Sequence, residues 1–363
     1  MNTAKPNSNA LLNDDIWLAV DSQILGGIET HILELASGLI QFQQKVRVVL
    51  LTEYSGSQPI LSKLELAKIP YNFLSELSNC KGNANVLTQL RCALKLHRPA
   101  LIHAHGYKAS VVSRLACLHC KWTAPPKNTV QVSTYHAGET PVGKVKLYDM
   151  IDRFTASLSD LNFAVSKDIA NKIPSKTHLL NNFVALQSCP TRFGKNIAFV
   201  GRLSHEKAPD RYIELAKNFP QHDFHLYGSG PMTSQLNKMA GGNVRLHGHI
   251  DDMNSVWSDI DVLIITSRFE GLPMAALEAM SRGIPVISTN VGALESLINS
   301  NENGWIGNDM TELNHALNIW LLASEPTKSA IRTKARQTIE RRFSLQAVIP
   351  QYLEQYQTVL DRS

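Results

Sequence analysis

Short apolar runs alternate with segments of helical periodicity along the whole chain, a pattern typical of parallel α/β architecture. The apolar runs predict strands at Ile16–Val20, Val46–Leu51, Leu101–Ala104, Thr129–Ser133, Leu161–Val165, Ile197–Val200, Phe224–Tyr227, Val244–His247, Val262–Thr266 and Pro285–Ser288. Helices are predicted at Ile28–Gln41, Val86–Leu96, Ser110–His119, Val145–Leu158, Asp210–Lys217, Met232–Met239, Pro273–Ser281, Leu294–Ile298, Glu312–Leu322 and Ser344–Leu360. The sequence therefore predicts an α/β protein with two doubly wound sheets and a cleft at the carboxyl ends of their strands.

The length of 363 residues also favours two domains, because one hydrophobic core rarely serves a chain of that size. The alternating pattern restarts after a polar, proline-containing stretch at 185–195. We therefore predict an N-terminal Rossmann-like domain over residues 1–188 and a second Rossmann-like domain over residues 189–343. The helical pattern Ser344–Leu360 lies beyond the second domain.

Composition indicates a globular protein, with 44% hydrophobic and 18% charged residues. No apolar run approaches the roughly 20 residues needed to span a bilayer, and residues 1–13 lack the apolar stretch of a secretion signal. We therefore expect a cytoplasmic protein. Five scattered cysteines fit a reducing compartment, and the Cys117–Cys120 spacing, lacking a second ligand pair, predicts helix packing.

Positive charge is concentrated in the first half of the chain. Residues 1–185 contain 19 Lys and Arg against 13 Asp and Glu, whereas residues 186–363 contain 17 against 18. A basic domain can face nucleic acid, an anionic membrane or an acidic acceptor, although a solvated surface explains this surplus equally well. We do not expect nucleic-acid binding, because basic and aromatic residues are not interleaved.

The strongest candidate site lies between Ser267 and Met280, where a buried strand leads through Glu270 into a helix. Pro273 is placed as a first-turn proline, which opens a helix without losing a hydrogen bond. The first amides of that helix would then form an anion site suited to a diphosphate. Glu278 could accept hydrogen bonds from ribose hydroxyls, and Glu270 could reach another part of the same ligand. Alternatively, Glu270 caps the helix and Glu278 is a surface charge.

A second candidate segment, Phe199–Lys207, follows the first strand of the second domain. Arg202 offers bidentate donors and Lys207 a compact positive charge, so together they could neutralise a departing pyrophosphate. The alternative is two solvated loop cations.

Two further segments belong to the first domain. Gly26 and Gly27 open the first helix, where paired glycines let a ligand approach the backbone. They do not form the GxGxxG fingerprint of NAD-binding proteins. His136 ends a buried strand and could bind a sugar hydroxyl in the cleft or be structural. We interpret His103 and His105, at a similar strand end, as residues that pack around the site.

Together these segments resemble the family-4 retaining glycosyltransferases, which have the GT-B fold and an E-x7-E motif, here Glu270 to Glu278. The resemblance runs from Gly26 to the last helix. It implies that the terminal helix, and with it residues 344–363, crosses back onto the first domain. It also implies a hexosyltransferase that uses a nucleotide-sugar co-substrate, with no cofactor.

The resemblance implies roles for individual residues. Glu270 would contact the donor sugar, Glu278 the ribose, and Arg202 and Lys207 the diphosphate, with His136 near the sugar. The catalytic residues would be His136, Arg202, Lys207 and Glu270. The donor-binding residues would be Gly26, Gly27, Arg202, Lys207, Gly248, His249, Ile250, Glu270, Gly271, Leu272, Pro273, Met274 and Glu278. The nucleotide base would rest at 248–250.

Three positions depart from the family pattern. Asn182 replaces a glycine, which we expect it to do by adopting a left-handed conformation. His205 and Ala208 stand where the family often has proline and glycine.

We expect sugar transfer to a hydroxyl group with retention at the anomeric carbon, by a front-face route, because no second carboxylate is evident. No metal is expected, since Asp251-Asp252 lacks the spacing of an Asp-x-Asp pair and better fits a helix cap. Two alternatives remain open: a sugar-nucleotide epimerase or hydrolase, which consumes donor without acceptor, and a non-catalytic nucleotide-sugar-binding subunit, which binds donor without turnover.

The partners expected from the sequence are a nucleotide sugar, UDP-linked on family frequency, and a glycan or lipid-linked acceptor from polysaccharide or lipopolysaccharide biosynthesis. The basic first half suggests loose peripheral association with the inner face of the cell membrane.

Overall fold

The computed structural model describes residues 15–23, 26–56, 58–80, 84–123, 129–136, 144–190 and 194–362, the side chains of 121–123 and 144–145 excepted. Its strands are β1 Ile16–Val20, β2 Val46–Leu50, β3 Tyr71–Phe73, β4 Leu101–His105, β5 Val130–Tyr135, β6 Leu161–Ala164, β7 His178–Leu179, β8 Asn196–Val200, β9 Phe224–Tyr227, β10 Val244–Gly248, β11 Ile260–Ile265, β12 Val286–Thr289 and β13 Gly304–Gly307. Its helices are α1 Gly27–Gln41, α2 Pro59–Leu66, α3 Leu74–Ser78, α4 Val86–His97, α5 Tyr107–Thr123, α6 Lys144–Phe154, α7 Lys167–Ala170, α8 Pro209–Lys217, α9 Thr233–Met239, α10 Asn254–Trp257, α11 Met274–Ser281, α12 Leu294–Leu297, α13 Met310–Leu322, α14 Glu325–Arg342 and α15 Leu345–Leu360.

The strands form two parallel sheets. The first has the order β3-β2-β1-β4-β5-β6-β7 and the second the order β10-β9-β8-β11-β12-β13. In each sheet the strand order reverses next to the strand that comes first in the chain, β1 in the first sheet and β8 in the second. Such a reversal places a crevice at the carboxyl ends of the strands. The predicted architecture of two Rossmann-like α/β domains is confirmed.

The chain passes between the sheets at two adjacent points. Val184 donates a backbone hydrogen bond of 2.9 Å to Phe343 and forms an isolated parallel bridge with Ser344. Helix α15 starts there, with the Ser344 side chain capping it through Ala347 N at 3.2 Å. Its buried face joins the core beneath the first sheet, so the terminal helix returns to the first domain as predicted. The limits 1–188, 189–343 and 344–363 stay a prediction.

All ten predicted strands are present, but the sequence pattern missed several elements at the periphery. Edge strands β3, β7 and β13 are short, and β7 has only two residues. Helix α14 was missed because it is mostly polar and buries a narrow stripe through Ile331, Ala335 and Ile339. Such a stripe is too weak a periodic signal to identify a helix on sequence alone.

Cys117 is buried in the core between α4, α5 and the first sheet, as the packing interpretation required. No helix among the described residues combines the length and the apolar character needed to cross a membrane.

Candidate functional site

An ion pair joins the two strongest sequence motifs of the second domain. Lys207 Nζ lies 2.6 Å and 2.7 Å from the two carboxylate oxygens of Glu270. Ser267 Oγ, at the end of the strand before Glu270, donates to the same carboxylate at 2.7 Å. The Glu270 side chain is 7% exposed and that of Lys207 30%. The carboxylate is therefore fixed, while part of the ammonium group stays open to a ligand.

The helix after Glu270 begins one residue later than predicted. Pro273 is the N-cap, with an extended ψ of 127°, and α11 starts at Met274. The ring fixes the entry angle of the chain into the helix without sacrificing a hydrogen bond. The first amides, at Met274 and Ala275, have no intrahelical acceptor by the geometry of any helix start. The anion site predicted here is thus shifted by one residue, and its role stays a prediction.

Close packing of two loops positions the segment that contains Arg202 and Lys207. Gly228 has a φ of +141°, and a Cβ there would lie 1.9 Å from the carbonyl oxygen of Gly201. Only glycine allows that approach, which brings the loop after β9 against the loop after β8. Arg202 is exposed. The positive segment therefore lies at the carboxyl edge of the second sheet.

A salt bridge ties this segment to the Glu270 loop. Arg268 contacts both carboxylate oxygens of Asp210, at 3.1 Å and 2.6 Å, and its backbone N–H donates to Glu206 at 2.8 Å. Burial raises the pKa of Glu206, but a hydrogen bond from Ser204 and the charges of Arg202 and Lys207 lower it overall. Glu206 thus stays ionised between the two candidate cations.

Glu278 is not the surface charge that the alternative interpretation required. Burial raises its pKa to about 7, although Arg282 one turn later acts in the opposite direction. Glu34 of α1 faces it from the first domain and has a pKa likewise raised to about 7 by burial, with the charge of Glu278 contributing. Glu34 also accepts a 2.8 Å hydrogen bond from the Ala185 N–H, where the chain leaves the first domain.

His136 lies where the two domains meet. It follows β5 at the carboxyl edge of the first sheet, and a Cβ on Gly271 of the second domain would lie 3.0 Å from its carbonyl oxygen. Its Nε2 is 3.1 Å from Nδ1 of His105, and its ring packs edge-on against His31 at 4.6 Å. Burial lowers the pKa of His136 to about 3, so the ring is neutral at physiological pH.

The paired glycines open helix α1 at the same edge. Gly26 is the N-cap, and its N–H donates to Glu29 Oε2 at 2.9 Å. A Cβ on Gly27 would meet no atom of the described residues within 4 Å. The pKa of Glu29 is raised, because the effect of burial exceeds that of the hydrogen bonds that lower it.

The predicted base-binding stretch begins at the end of β10, the edge strand of the second sheet. Gly248 has a φ of +74° and its carbonyl accepts from Gly228 N at 2.7 Å, whereas His249 is exposed and Ile250 packs against the second core. The next residue, Asp251, accepts a 2.7 Å hydrogen bond from Lys63 Nζ of α2, which links the two domains. The predicted helix cap at Asp251-Asp252 was wrong, because the N-cap of α10 is Met253, although Asp252 Oδ1 accepts from Asn254 N at 3.1 Å just before that helix.

The expectation for Asn182 was wrong. Its φ is not positive, unlike that of Ala208 at +51°, which does occupy the left-handed region in the loop where the family often has glycine. Asn182 is buried, and its side chain donates to the carbonyl of Leu272 at 2.7 Å across the domain boundary. The amide therefore serves as a bridge between domains.

The sequence did not reveal the roles of Ser267, Glu34 and Asn182, because these roles arise from contacts with other segments of the chain. It also overlooked an Asp-x-Asp spacing at Asp259 and Asp261. Asp261 is a structural residue, since it accepts from Trp320 Nε1 at 2.9 Å and pairs with Arg332.

Comparisons with known proteins agree with this architecture. Residues 25–184 match the family model described as "Glycosyltransferase Family 4", and residues 194–322 match the model described as "Glycosyl transferases group 1". Each half of the chain thus matches a glycosyltransferase domain. The junction between the two matches, at 185–193, coincides with the point where the backbone leaves the first sheet.

Individual relatives are distant. The O-antigen biosynthesis glycosyltransferase WbnH of Escherichia coli is 25% identical over 226 residues, which are 59% of this chain and 65% of that protein. The UDP-Gal:alpha-D-GlcNAc-diphosphoundecaprenol alpha-1,3-galactosyltransferase of the same organism is 25% identical over 255 residues, 61% of this chain and 65% of that protein. The matched stretches thus span somewhat less than two thirds of these relatives.

Solved structures share the whole glycosyltransferase fold. Anabaena HepE in complex with UDP-glucose has a TM-score of 0.79 at 18% identity, covering 95% of this chain and 100% of that one. Staphylococcus aureus TarM has a TM-score of 0.78 at 14% identity, covering 95% and 99%. Both are similar over their full length, and at these identities the likeness concerns the GT-B fold alone.

Proposed function

We propose that this protein transfers a hexose-type sugar from a nucleotide diphosphate donor to a hydroxyl group, with retention at the anomeric carbon. The observation that carries the proposal is the Lys207–Glu270 pair, held by Ser267 ahead of helix α11 and opposite His136. The pair combines a partly open cation for a phosphate with a fixed carboxylate for sugar hydroxyls. Such an arrangement fits a nucleotide sugar lying along the cleft.

In the proposed step, the bond between the anomeric carbon and the diphosphate oxygen breaks while the acceptor oxygen bonds to the same face. The acceptor hydroxyl gives its proton to the departing phosphate oxygen. Arg202, Lys207 and the amides at the start of α11 stabilise the negative charge that grows there. These groups supply the positive charge that a metal ion provides in other transferases, so the proposal requires no metal or other cofactor.

A UDP-sugar is the proposed donor and a cell-surface glycan or lipid-linked precursor the proposed acceptor. The UDP-glucose complex of HepE and the O-antigen assignment of WbnH support this choice by analogy only. A thermal-shift screen across UDP-, GDP- and ADP-sugars tests it, because a ligand that binds the folded chain raises its Tm. Stabilisation by GDP- or ADP-sugars alone would contradict the UDP assignment.

Product analysis separates this proposal from its alternatives. NMR of the glycoside formed should show the anomeric configuration of the donor, and the opposite configuration would overturn retention. Donor consumption that is equally fast without acceptor would instead indicate an epimerase or hydrolase. Donor binding with no turnover on any acceptor would indicate a non-catalytic subunit.

We also propose peripheral association with the inner face of the cell membrane, through helix α6. This helix exposes a row of large apolar side chains: Leu147, Tyr148, Met150, Ile151 and Phe154. It also contains Lys144, whose side chain lies outside the described residues, and Lys146, which is exposed. Apolar side chains beside basic ones are typical of helices that lie in a membrane interface.

Sedimentation with phosphatidylglycerol vesicles tests this association. Charge reversal at Lys144 and Lys146, or replacement of Phe154 by Asn, should reduce the bound fraction. Leu66→Asn is the matched control, because Leu66 is 81% exposed on α2 and Phe154 71% exposed on α6. Unchanged sedimentation of the α6 variants, in vesicles or in cell fractions, would contradict membrane association.

A further inference from the structure

Three histidines from separate segments of the first domain converge in the cleft: His31 of α1, His105 at the end of β4 and His136 after β5. One ring nitrogen from each lies within 4.8 Å of the other two. The separation between His105 Nδ1 and His136 Nε2 is 3.1 Å. Two nitrogen ligands of a tetrahedral zinc ion are about 3.3 Å apart, given Zn–N bonds of about 2.0–2.1 Å. One pair is thus already at ligand spacing, and the third ring is adjacent.

Two of these rings have unused lone pairs or N–H groups. Among the described residues, no hydrogen-bond partner of normal geometry reaches either nitrogen of the buried His31 ring, beside which the Asn182 side chain lies. Nε2 of His105 also has no such partner, and it is the nitrogen that would carry the proton when Nδ1 binds a metal ion. His103, two residues before His105 on β4, differs, because its nitrogens form hydrogen bonds with Tyr356 and Thr134 at 2.6 Å each. Buried polar atoms without partners are rare in folded proteins, so this part of the cluster is suited to a ligand.

The protonation state of the cluster also fits a metal ion. Burial holds the pKa of His31 and of His105 well below the ordinary histidine value, and that of His136 at about 3, with neighbouring histidines contributing at the first two. All three rings are therefore neutral at physiological pH, the form that binds a metal. His31 and His105 are buried, and His136 is the more exposed of the three.

We propose that His31, His105 and His136 bind a single Zn²⁺ ion or a similar imidazole-binding divalent cation. Three neutral imidazoles and an open position suit Zn²⁺, whereas Mg²⁺ prefers oxygen ligands. The cation would replace the hydrogen bond between His105 Nδ1 and His136 Nε2. Each imidazole would keep its one proton on the nitrogen that faces away from the ion, so no proton is lost from the neutral rings. All three ligands belong to the first domain, whereas the proposed diphosphate-binding groups belong to the second. Because it engages His136, a bound ion would withdraw that ring from the donor sugar and inhibit transfer.

Metal binding to the full-length, tag-free chain can be measured without any substrate. After chelator treatment, the protein is titrated with ZnCl₂ by calorimetry, and Co²⁺ is added separately to read tetrahedral coordination from its visible absorption. We expect one Zn²⁺ per chain and no measurable Mg²⁺ binding. Replacing a ligand, in His31→Asn, His105→Asn or His136→Ala, should weaken Zn²⁺ binding by more than about tenfold, the least that loss of an outer-shell partner costs.

His315→Ala is the matched control, because this exposed histidine lies on α13 of the second domain and should leave Zn²⁺ binding unchanged. If the His31 and His105 variants fail to fold, His136→Ala is the decisive test, because His136 is only partly buried at the end of a strand. Retention of full Zn²⁺ affinity in folded His136→Ala, or equal binding of Mg²⁺, would overturn the proposal. No substrate is present in these titrations, so their failure would leave the transferase proposal untouched.

Discussion

The two walls of the cleft differ in how their polar groups are charged. On the second domain, Lys207 and Glu270 form an ion pair, with Arg268–Asp210 behind it. On the first domain, the corresponding edge of the sheet presents His31, His105 and His136, all neutral because of burial. The charged wall of the second domain thus faces a neutral wall of three histidines, although the first domain also has a Lys108–Asp21 ion pair at the end of β1. Both walls are built from the carboxyl ends of parallel strands.

This difference corresponds to the two halves of the proposed reaction. A leaving diphosphate gains negative charge as the bond to the sugar breaks, so fixed cations on its side stabilise the transition state more than the ground state. An acceptor hydroxyl stays nearly neutral until its proton leaves. A cation beside it would therefore stabilise the ground state and the transition state about equally. The charged wall should therefore tolerate substitution far less than the neutral wall.

The largest effect is expected from the ion pair. Lys207→Ala and Glu270→Ala should each lower kcat by about 10² to 10³, the usual cost of losing a preorganised charge-stabilising group. The measurement is initial-rate kinetics with the donor identified by thermal shift. Glu270→Ala should change Tm little, because the Lys207 that it leaves unpaired is partly exposed. Lys207→Ala should lower Tm more, because it leaves the largely buried Glu270 carboxylate without its cation.

Lys217→Ala is the matched control for the ion pair. Lys217 pairs with Glu214 at 2.6 Å on the exposed face of α8, away from the cleft. It should keep full turnover. If Lys207→Ala and Glu270→Ala are as active as Lys217→Ala, the charged wall does not take part in the chemistry.

The next largest effect is a dependence of donor affinity on pH, caused by Glu278. Burial raises its pKa to about 7, so the carboxylate that would bind ribose is lost as the pH falls below 7. Affinity for UDP-glucose, whose diphosphate does not titrate in this range, should then drop by up to about tenfold per pH unit. Calorimetry at pH 7.5 and 6.0 measures the drop. Glu278→Gln should bind weakly at both pH values, and the same slope in this variant would refute the assignment.

Stability should vary with pH in the opposite direction. Burial raises the pKa of Glu278 and that of Glu34 to about 7 in the folded chain, above the value of 4.5 for a free side chain. Between those values the folded chain binds more protons than the unfolded chain, so these groups reduce its stability as the pH rises. Glu34→Gln and Glu278→Gln should therefore raise Tm at pH 8 more than at pH 5. An equal shift at both pH values would exclude this linkage.

A smaller loss is expected on the neutral wall. His136→Ala removes at most one neutral hydrogen bond to the donor sugar, worth about 1 kcal/mol, so kcat/KM should fall about fivefold. Because burial lowers the pKa of His136 to about 3, the loss should be the same from pH 6 to pH 8. A loss that changes across this range would show that the ring titrates during turnover.

The charged wall was also easier to predict from the sequence than the neutral one. Glu270, Glu278, Arg202 and Lys207 lie in two short segments, each following a strand that its apolar run identifies. The neutral wall combines His31, His105 and His136 from three segments, and each histidine alone is as compatible with a packed core as with a site. Glu34 was not identifiable at all, because its importance depends on its position opposite Glu278 and beside the Ala185 amide.

The smallest effect concerns the loop that holds Lys207. Ala208 has a φ of +51° and a ψ of +50°, a left-handed conformation that costs about 1–2 kcal/mol for a residue with a Cβ. Ala208→Gly should remove that strain and, after the larger entropy of an unfolded glycine is subtracted, stabilise the chain by up to about 1 kcal/mol. Ala216→Gly in helix α8 should instead destabilise the chain by about 1 kcal/mol.

Chemical denaturation of both variants measures the difference. A destabilised Ala208→Gly would mean that the methyl group of Ala208 packs well enough to outweigh the strain. If Ala208→Gly stabilises the chain and leaves turnover unchanged, backbone strain in this loop plays no part in the reaction. The charged wall would then depend only on where its charges lie.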